Sequence, residues 1–312
     1  MKRLLRLCLA GLAIAGLTAP AWSADEAPEH PAKPMLWRVE GGKLAKPSWL
    51  FGTIHLGTGP VGTLHPAAEK ALESSDALYT ELEMDPVTQL GLAKHFIRTD
   101  GRKLSDSIGE EMTEQLEAEL KKIMPALNSA VLQSFKTWAV AIMLPTLKLQ
   151  LEGAPPLDMI VWKKAEDAGI ATRALEKPED QFDIFDDLTE DEQVIMLSET
   201  LRQLREARDK DEDLNDELIA AYVSGDDQAV LDWMNRYYQE MIEGEHAELG
   251  KKLMKRMLDD RNAKMAATII SALQTEPDQS HFFAAGTAHF LGKNNIGGYL
   301  TKQGYKVTRV TE

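Results

Sequence analysis

The fold of this chain is limited most by where its strand-like segments fall. Leu36–Val39, Ser48–Ile54 and Ala77–Leu82 lie near the start, and His281–Ala285 and Tyr305–Val310 near the end. Between them only Ala171–Leu175 reads as a strand, and helical spacing dominates the rest. A strand cannot bury its apolar face alone, so the two ends must meet in one sheet. The expected class is α/β (α+β): a central sheet assembled from N- and C-terminal strands, carrying a large helical insert. The helical lobe should occupy about 87–151 and 189–273, with Phe135, Trp138 and Ile142 among its buried residues. Gly41-Gly42 favours a hairpin between the first two strands, and Pro66 suits the first position of a helix. Thr189-x-x-Glu192 is a capping box ahead of Val194, Leu197, Leu201 and Leu204 on one face.

The start of the chain reads as a secretory signal. Lys2, Arg3 and Arg6 precede an apolar run from Leu7 to Ala19, and Ala21 and Ser23 suit cleavage after Ser23. The expected organisation is a signal peptide over 1–23, a flexible leader over 24–34 and a single domain over 35–312. Removing the signal would take three cations, moving the net charge from -15 to -18, and would also take Cys8, the only cysteine. Disulfides and thiolate chemistry are then excluded. No later segment is apolar enough to span a membrane. The acidity excludes a nucleic-acid partner, which would need a basic face. The chain is expected to be exported, to the periplasm or outside the cell.

Its chemistry must therefore come from histidine, carboxylates, hydroxyls, lysine or arginine. There is no HExxH and no GxSxG. Gly57 to Gly62 imitates a phosphate loop but lacks its lysine, and Pro60 removes a backbone donor. Gly-x-x-His is left, at Gly52–His55, Gly62–His65 and Gly286–His289. With 21 Gly and 7 His, chance gives about half an occurrence. Two of the three follow an apolar strand, Trp49-Leu50-Phe51 and His281–Ala285. The carboxyl ends of strands in an open α/β sheet are where sites assemble, and glycine there permits close backbone approach. His55 and His289 are thus expected to converge. Glu81, near the end of the third strand, would join them. Two imidazoles and a carboxylate suit a catalytic metal, with Glu81 as third ligand or general base. His65 precedes Pro66 and reads as a loop residue; Asp158 starts a helix and reads as its cap. Ligands of nitrogen and oxygen leave Mn, Co, Zn and Fe open.

Leu36-Trp37-Arg38-Val39 and Pro47 to His55 closely resemble the opening of the TraB/PrgY/GumN family, which includes the TIKI-type metalloproteases. The resemblance continues through Tyr79 to Pro86, Leu157-Asp158, Leu175-Glu176 with Gln181, Arg261-Asn262-x-x-Met265 and Gly286 to His289. Glu83 stands where the family usually has Asp, and His65 matches no family motif. The resemblance implies a fold related to erythromycin esterase-like and haem-binding ChaN-like proteins. It supports His55, His289 and Glu81 as metal ligands and adds Glu176 and Arg261 as catalytic candidates. Glu176 is either a partner that orients a histidine or a strand-end surface charge. Arg261 either meets an oxyanion or substrate carboxylate, or forms a helix-surface ion pair.

The expectation is an exported metal-dependent hydrolase, a peptidase acting on a peptide or protein. Two alternatives keep the same residues. One is a metal-independent esterase-like hydrolase with His55 as general base, oriented by Glu81. The other is a non-catalytic envelope protein binding haem or another ligand. For that last reading Trp233, Tyr237 and Tyr238 could offer a partner surface, although such a set is more often core.

Overall fold

A computed structural model describes residues 28–151, 153, 155–210, 215–243 and 246–312. The signal segment lies outside them. Six strands form one sheet in the order β4-β3-β5-β2-β1-β6. Their ranges are β1 Leu36–Gly41, β2 Ser48–Thr53, β3 Ala77–Thr80, β4 Ala171–Ala174, β5 His281–Gly286 and β6 Tyr305–Arg309. Each falls where its apolar run predicted. β1 and β2 form the antiparallel hairpin, with Val39 opposite Ser48 and positive φ at Gly41 and Gly42. β6 adds antiparallel to β1. β2, β5, β3 and β4 are mutually parallel, so their carboxyl ends share one edge of the sheet. β5 lies between β2 and β3, and every one of its residues is buried. This explains its near-continuous apolar sequence, which a half-exposed strand would not tolerate.

The helices in chain order are α1 Pro66–Glu73, α2 Pro86–Phe96, α3 Leu104–Ile123, α4 Thr137–Met143, α5 Leu147–Leu151, α6 Leu157–Asp167 and α7 Pro178–Asp186. They continue as α8 Glu190–Asp209, α9 Asp216–Ser224, α10 Asp227–Ile242, α11 Ala247–Met254, α12 Arg261–Thr275 and α13 Ile296–Lys302. α6 packs on β3, β4 and β5, and α13 on β6 and α12. α3, α4 and α8 pack together as the helical lobe. Trp138 is fully buried in it, stacked on Phe185, with its Nε1 donating to Asp186 Oδ1 at 2.7 Å. A buried indole needs such a partner. The α8 capping box forms in both directions, through Thr189 Oγ1 and Glu192 Oε2.

Ala32 N–H donates to Val223 O at 2.7 Å, and Pro31 and Pro34 are buried, so this stretch is tied to α9. Trp233 is buried in the core, whereas the side chains of Tyr237 and Tyr238 lie outside the described residues. Among the described residues no helix is long and apolar enough to cross a membrane.

Candidate metal and catalytic site

The two Gly-x-x-His turns begin side by side, because β2 and β5 are parallel and Thr53 is level with Gly286. The Thr287 side chain lies across Gly52, where a Cβ would come within 2.7 Å of Thr287 Oγ1. Only glycine leaves that room, which is the close approach expected of it. Thr287 Oγ1 then donates to Thr53 O at 2.9 Å, joining one motif to the other. Tyr222 of α9, fully buried, donates to Gly52 O at 2.8 Å.

Each histidine is held through Nδ1. His289 is buried, and its Nδ1 lies 2.7 Å from Asn262 Oδ1. His55 Nδ1 lies 3.1 Å from Asp158 Oδ2, while Asp158 Oδ1 accepts from Thr53 Oγ1 at 2.6 Å. Asp158 is therefore not the cap it was expected to be. Pro156 occupies the N-cap of α6, and the Asp158 side chain is buried under the first motif. By contrast His65 does cap a helix: its Nδ1 accepts from Ala67 N–H at the start of α1.

Glu81 follows β3. Its Oε1 accepts from Gly286 N–H at 2.7 Å and stands 3.7 Å from His289 Nε2. Its Oε2 accepts from Arg261 Nη2 at 2.5 Å and from Gln181 Nε2 at 3.1 Å. Arg261 also grips Glu176, from Nε at 3.0 Å and from Nη2 at 2.7 Å. Glu176 is thus a buried partner of Arg261, not a strand-end surface charge, and Arg261 forms no helix-surface pair. Arg261 was expected to meet an oxyanion or a substrate carboxylate, but its Nε and Nη2 donors are engaged by Glu81 and Glu176. A six-residue π-helical stretch, Lys255–Asp260, runs directly into α12. Such wide turns shift the register of a helix and recur at functional sites. Here the consecutive residues Arg261 and Asn262 are both buried, one serving Glu81 and the other His289. Glu83 is exposed, and Asp85 caps α2.

A family model, that of the TraB/PrgY/gumN family, matches residues 35–309. The chain belongs to the TraB/PrgY/gumN family. Among its relatives are metalloprotease TIKI2 of Danio rerio, 26% identical over 87% of this chain, and metalloprotease TIKI1 of Homo sapiens, also 26% identical over 87%. Metalloprotease TIKI1 of Danio rerio is 24% identical over 92%. The chain spans 60–65% of the length of these relatives. No solved structure matches it.

The electrostatics of this family member divide the two histidines. Burial draws His289 down to about 3, and the Arg261 charge adds to this, so its ring is neutral. Burial also pulls on His55, but attraction to Asp158 and Glu81 outweighs it and raises the group to about 9. Its side chain is 42% exposed, so solvent screens part of that attraction. Burial opposes ionisation of Glu81; Arg261 foremost, with His289, His55 and the Gly286 N–H, reverses this and holds it well below the usual carboxylate range. Burial and the Glu81 charge push Glu176 up despite Arg261.

The chemistry of the donors fits a divalent ion. Both Nδ1 atoms are tied to oxygen acceptors, the arrangement that orients metal-binding imidazoles. Glu81 Oε2 is closed by Arg261 and Gln181, whereas Oε1 accepts only from Gly286 N–H and keeps its second lone pair. As they stand, no three His, Cys, Asp or Glu among the described residues are grouped closely enough to enclose an ion. Ligation would require His55, the more exposed of the pair, to move toward His289 and Glu81.

Sequence reasoning named His55, Glu81, Glu176, Arg261 and His289, and the fold brings Glu81, Glu176, Arg261 and His289 into direct contact. It gave no role to Gln181 or Asn262, present only within the resemblance. Thr287 and Thr53 were legible as motif residues but not as hydroxyl donors. Tyr222 carried no signal at all.

Proposed function

We propose that this chain is an exported divalent-metal-dependent peptidase. The observation that carries the reading is the pairing of the two Gly-x-x-His turns at level carboxyl ends of β2 and β5, with Glu81 facing His289 at 3.7 Å. Supporting it, the relatives are named metalloproteases. The ion would be held by His55 Nε2, His289 Nε2 and Glu81 Oε1. Bound there, it would polarise a peptide carbonyl and acidify water. Mn, Co, Zn and Fe all accept such a donor set.

The chain's own residues have separate tasks. Arg261 neutralises Glu81 and Glu176, so that two buried carboxylates coexist. Glu176 and Gln181 fix the guanidinium and Oε2 of Glu81, and so aim Oε1. Asp158 and Asn262 hold the two rings. The substrate class is a peptide or protein, by likeness to the relatives. Export rests on the signal-like segment at 1–23, and cleavage after Ser23 is checked by sequencing the N-terminus of protein recovered from the cell envelope.

The test is elemental analysis of protein purified without chelator, alongside peptide hydrolysis, compared with a His55→Ala/His289→Ala double variant. Stoichiometric metal and hydrolysis in the parent, both lost in the variant, are expected. Metal-free protein that hydrolyses peptides in strong chelator would overturn the metal reading. One observation favours a second reading: the His55–Asp158 pair has the form of a base and its orienting carboxylate, with Asp158, not the expected Glu81, in that place. Chelator-insensitive ester hydrolysis lost in Asp158→Asn would select it.

A further inference from the structure

A histidine can ligate through Nε2 only when its neutral ring carries the proton on Nδ1, and each histidine of this site has that proton placed by a neighbour. For His289 the proton is placed by way of Asn294. Its carbonyl oxygen accepts from Asn262 Nδ2 at 3.0 Å, and a carbonyl can only accept. The Asn262 amide is thereby oriented, and its Oδ1 must be the atom facing His289 Nδ1 at 2.7 Å. That nitrogen then has to donate. Asn294 is itself fixed. It takes the left-handed conformation, φ 54°, which asparagine tolerates better than most residues. Its Nδ2 donates to Asp259 Oδ1 at 3.1 Å, in the π-helical stretch. For His55 the acceptor is Asp158 Oδ2, whose other oxygen is taken by Thr53 Oγ1. A carboxylate so held also demands a donor at Nδ1.

We infer that Asn262 and Asp158 are positioning residues: Asn262 fixes the neutral His289 ring as its Nδ1–H tautomer and keeps its Nε2 lone pair free for an ion, and Asp158 holds His55 through an Nδ1–H donor, so that the proton His55 must give up to ligate is the one on Nε2. The inference rests on the metal-dependent reading for its purpose, but the tautomers themselves do not need a metal. Because Thr287 joins the motifs and Asn294 joins α12 to the loop after His289, the two locks belong to one hydrogen-bonded frame.

The test uses the full chain labelled with 15N-histidine and stripped of metal by chelator. Long-range proton–nitrogen correlation reads the protonated nitrogen of each ring, with His55→Gln and His289→Gln variants as assignments. The neutral His289 ring should show Nδ1–H and bare Nε2, and His55 should keep its Nδ1–H throughout its titration; an Nε2–H ring for His289 in the parent overturns the inference. Asn262→Leu should convert His289 to mixed tautomers and weaken Co²⁺ binding, measured by calorimetry, by about 10–100-fold. Asn262→Asp, which keeps an oxygen at that position, should restore the parent tautomer. Asp158→Leu removes the acceptor at His55 Nδ1 and should lower the pH at which His55 titrates and leave its neutral ring with mixed tautomers. An unchanged His289 tautomer in Asn262→Leu also overturns the inference. If Asn262→Leu does not fold, the parent spectrum and Asn262→Asp decide. Should the tautomers be as expected while Co²⁺ binds no form of the protein, the inference stands and the metal-dependent reading falls.

Discussion

Arg261, at the start of the helix that precedes β5, donates through Nη2 to Oε2 of Glu81 at 2.5 Å and through the same nitrogen to Glu176 at 2.7 Å. All three side chains are at most 9% exposed. One cation thus serves two buried anions, which makes it the electrostatic centre of the site.

Removing that cation leaves two uncompensated carboxylates. Arg261→Met should cost about 3–5 kcal/mol in stability, read by urea unfolding. Arg261→Lys keeps the charge but loses the fork and should fall between. A methionine variant as stable as the parent would show that the carboxylates are not ionised in the fold.

Gly52 and Thr287 should be coupled. The Cβ of Gly52→Ala would strike Thr287 Oγ1, so the variant should lose about 1–3 kcal/mol as the two motifs are forced apart. Thr287→Ala removes the closest contact, leaving Cα and Cβ at 3.1 and 3.2 Å, and gives up the bond to Thr53 O. In a double-mutant cycle the combined variant should cost less than the sum of the single ones.

His281 lies at the opposite end of β5 from the site and brings acid sensitivity. It is fully buried among Tyr79 and Phe283, with both ring nitrogens unpartnered. Glu276 is 3.8 Å away and is held by Arg173, which also donates to Tyr79; Asp76 is the other nearby charge. Burial pushes the His281 pKa below its ordinary 6.5. The unfolded chain then binds the proton more readily, so the stability is present above about pH 6.5 and is lost as pH falls. His281→Phe should flatten the acid limb of a plot of melting temperature against pH. Identical acid limbs would exclude His281 as a source.

Metal removal should lower stability as well as activity. A ligand that binds only the folded chain stabilises it by about 2.7 kcal/mol at a hundredfold excess over Kd. Adding Co²⁺ to chelator-treated protein should therefore raise the melting temperature, and His55→Ala/His289→Ala should not respond.

Much of this site was legible because strands and turns leave local signatures. An apolar run ending in glycine, followed by histidine three residues on, locates a strand, its end and a polar side chain beyond it. Acidic Glu81 after Ala77–Thr80 carries the same kind of signal. Asp158 misled for a local reason: an acid near a helix start reads as a cap, and nothing nearby in sequence shows that His55 and Thr53 lie above it. Gln181 and Asn262 entered only through the family resemblance, because nothing local gives an amide in a helix a partner 100 or 27 residues away. Tyr222 carried no local signal, and its hydroxyl reaches Gly52 O across 170 residues of chain.

By itself the sequence determined the strands, the helical insert and the presence of histidines and acids at strand ends. Those follow from apolar periodicity, glycine and capping chemistry within a few residues. Tertiary structure alone decided which side chains share a proton or a charge. Arg261 meets Glu81 across 180 residues of chain, and Thr287 meets Thr53 across 234. Such partnerships depend on the register of parallel strands and on one π-helical shift before α12, and neither is written in any local pattern.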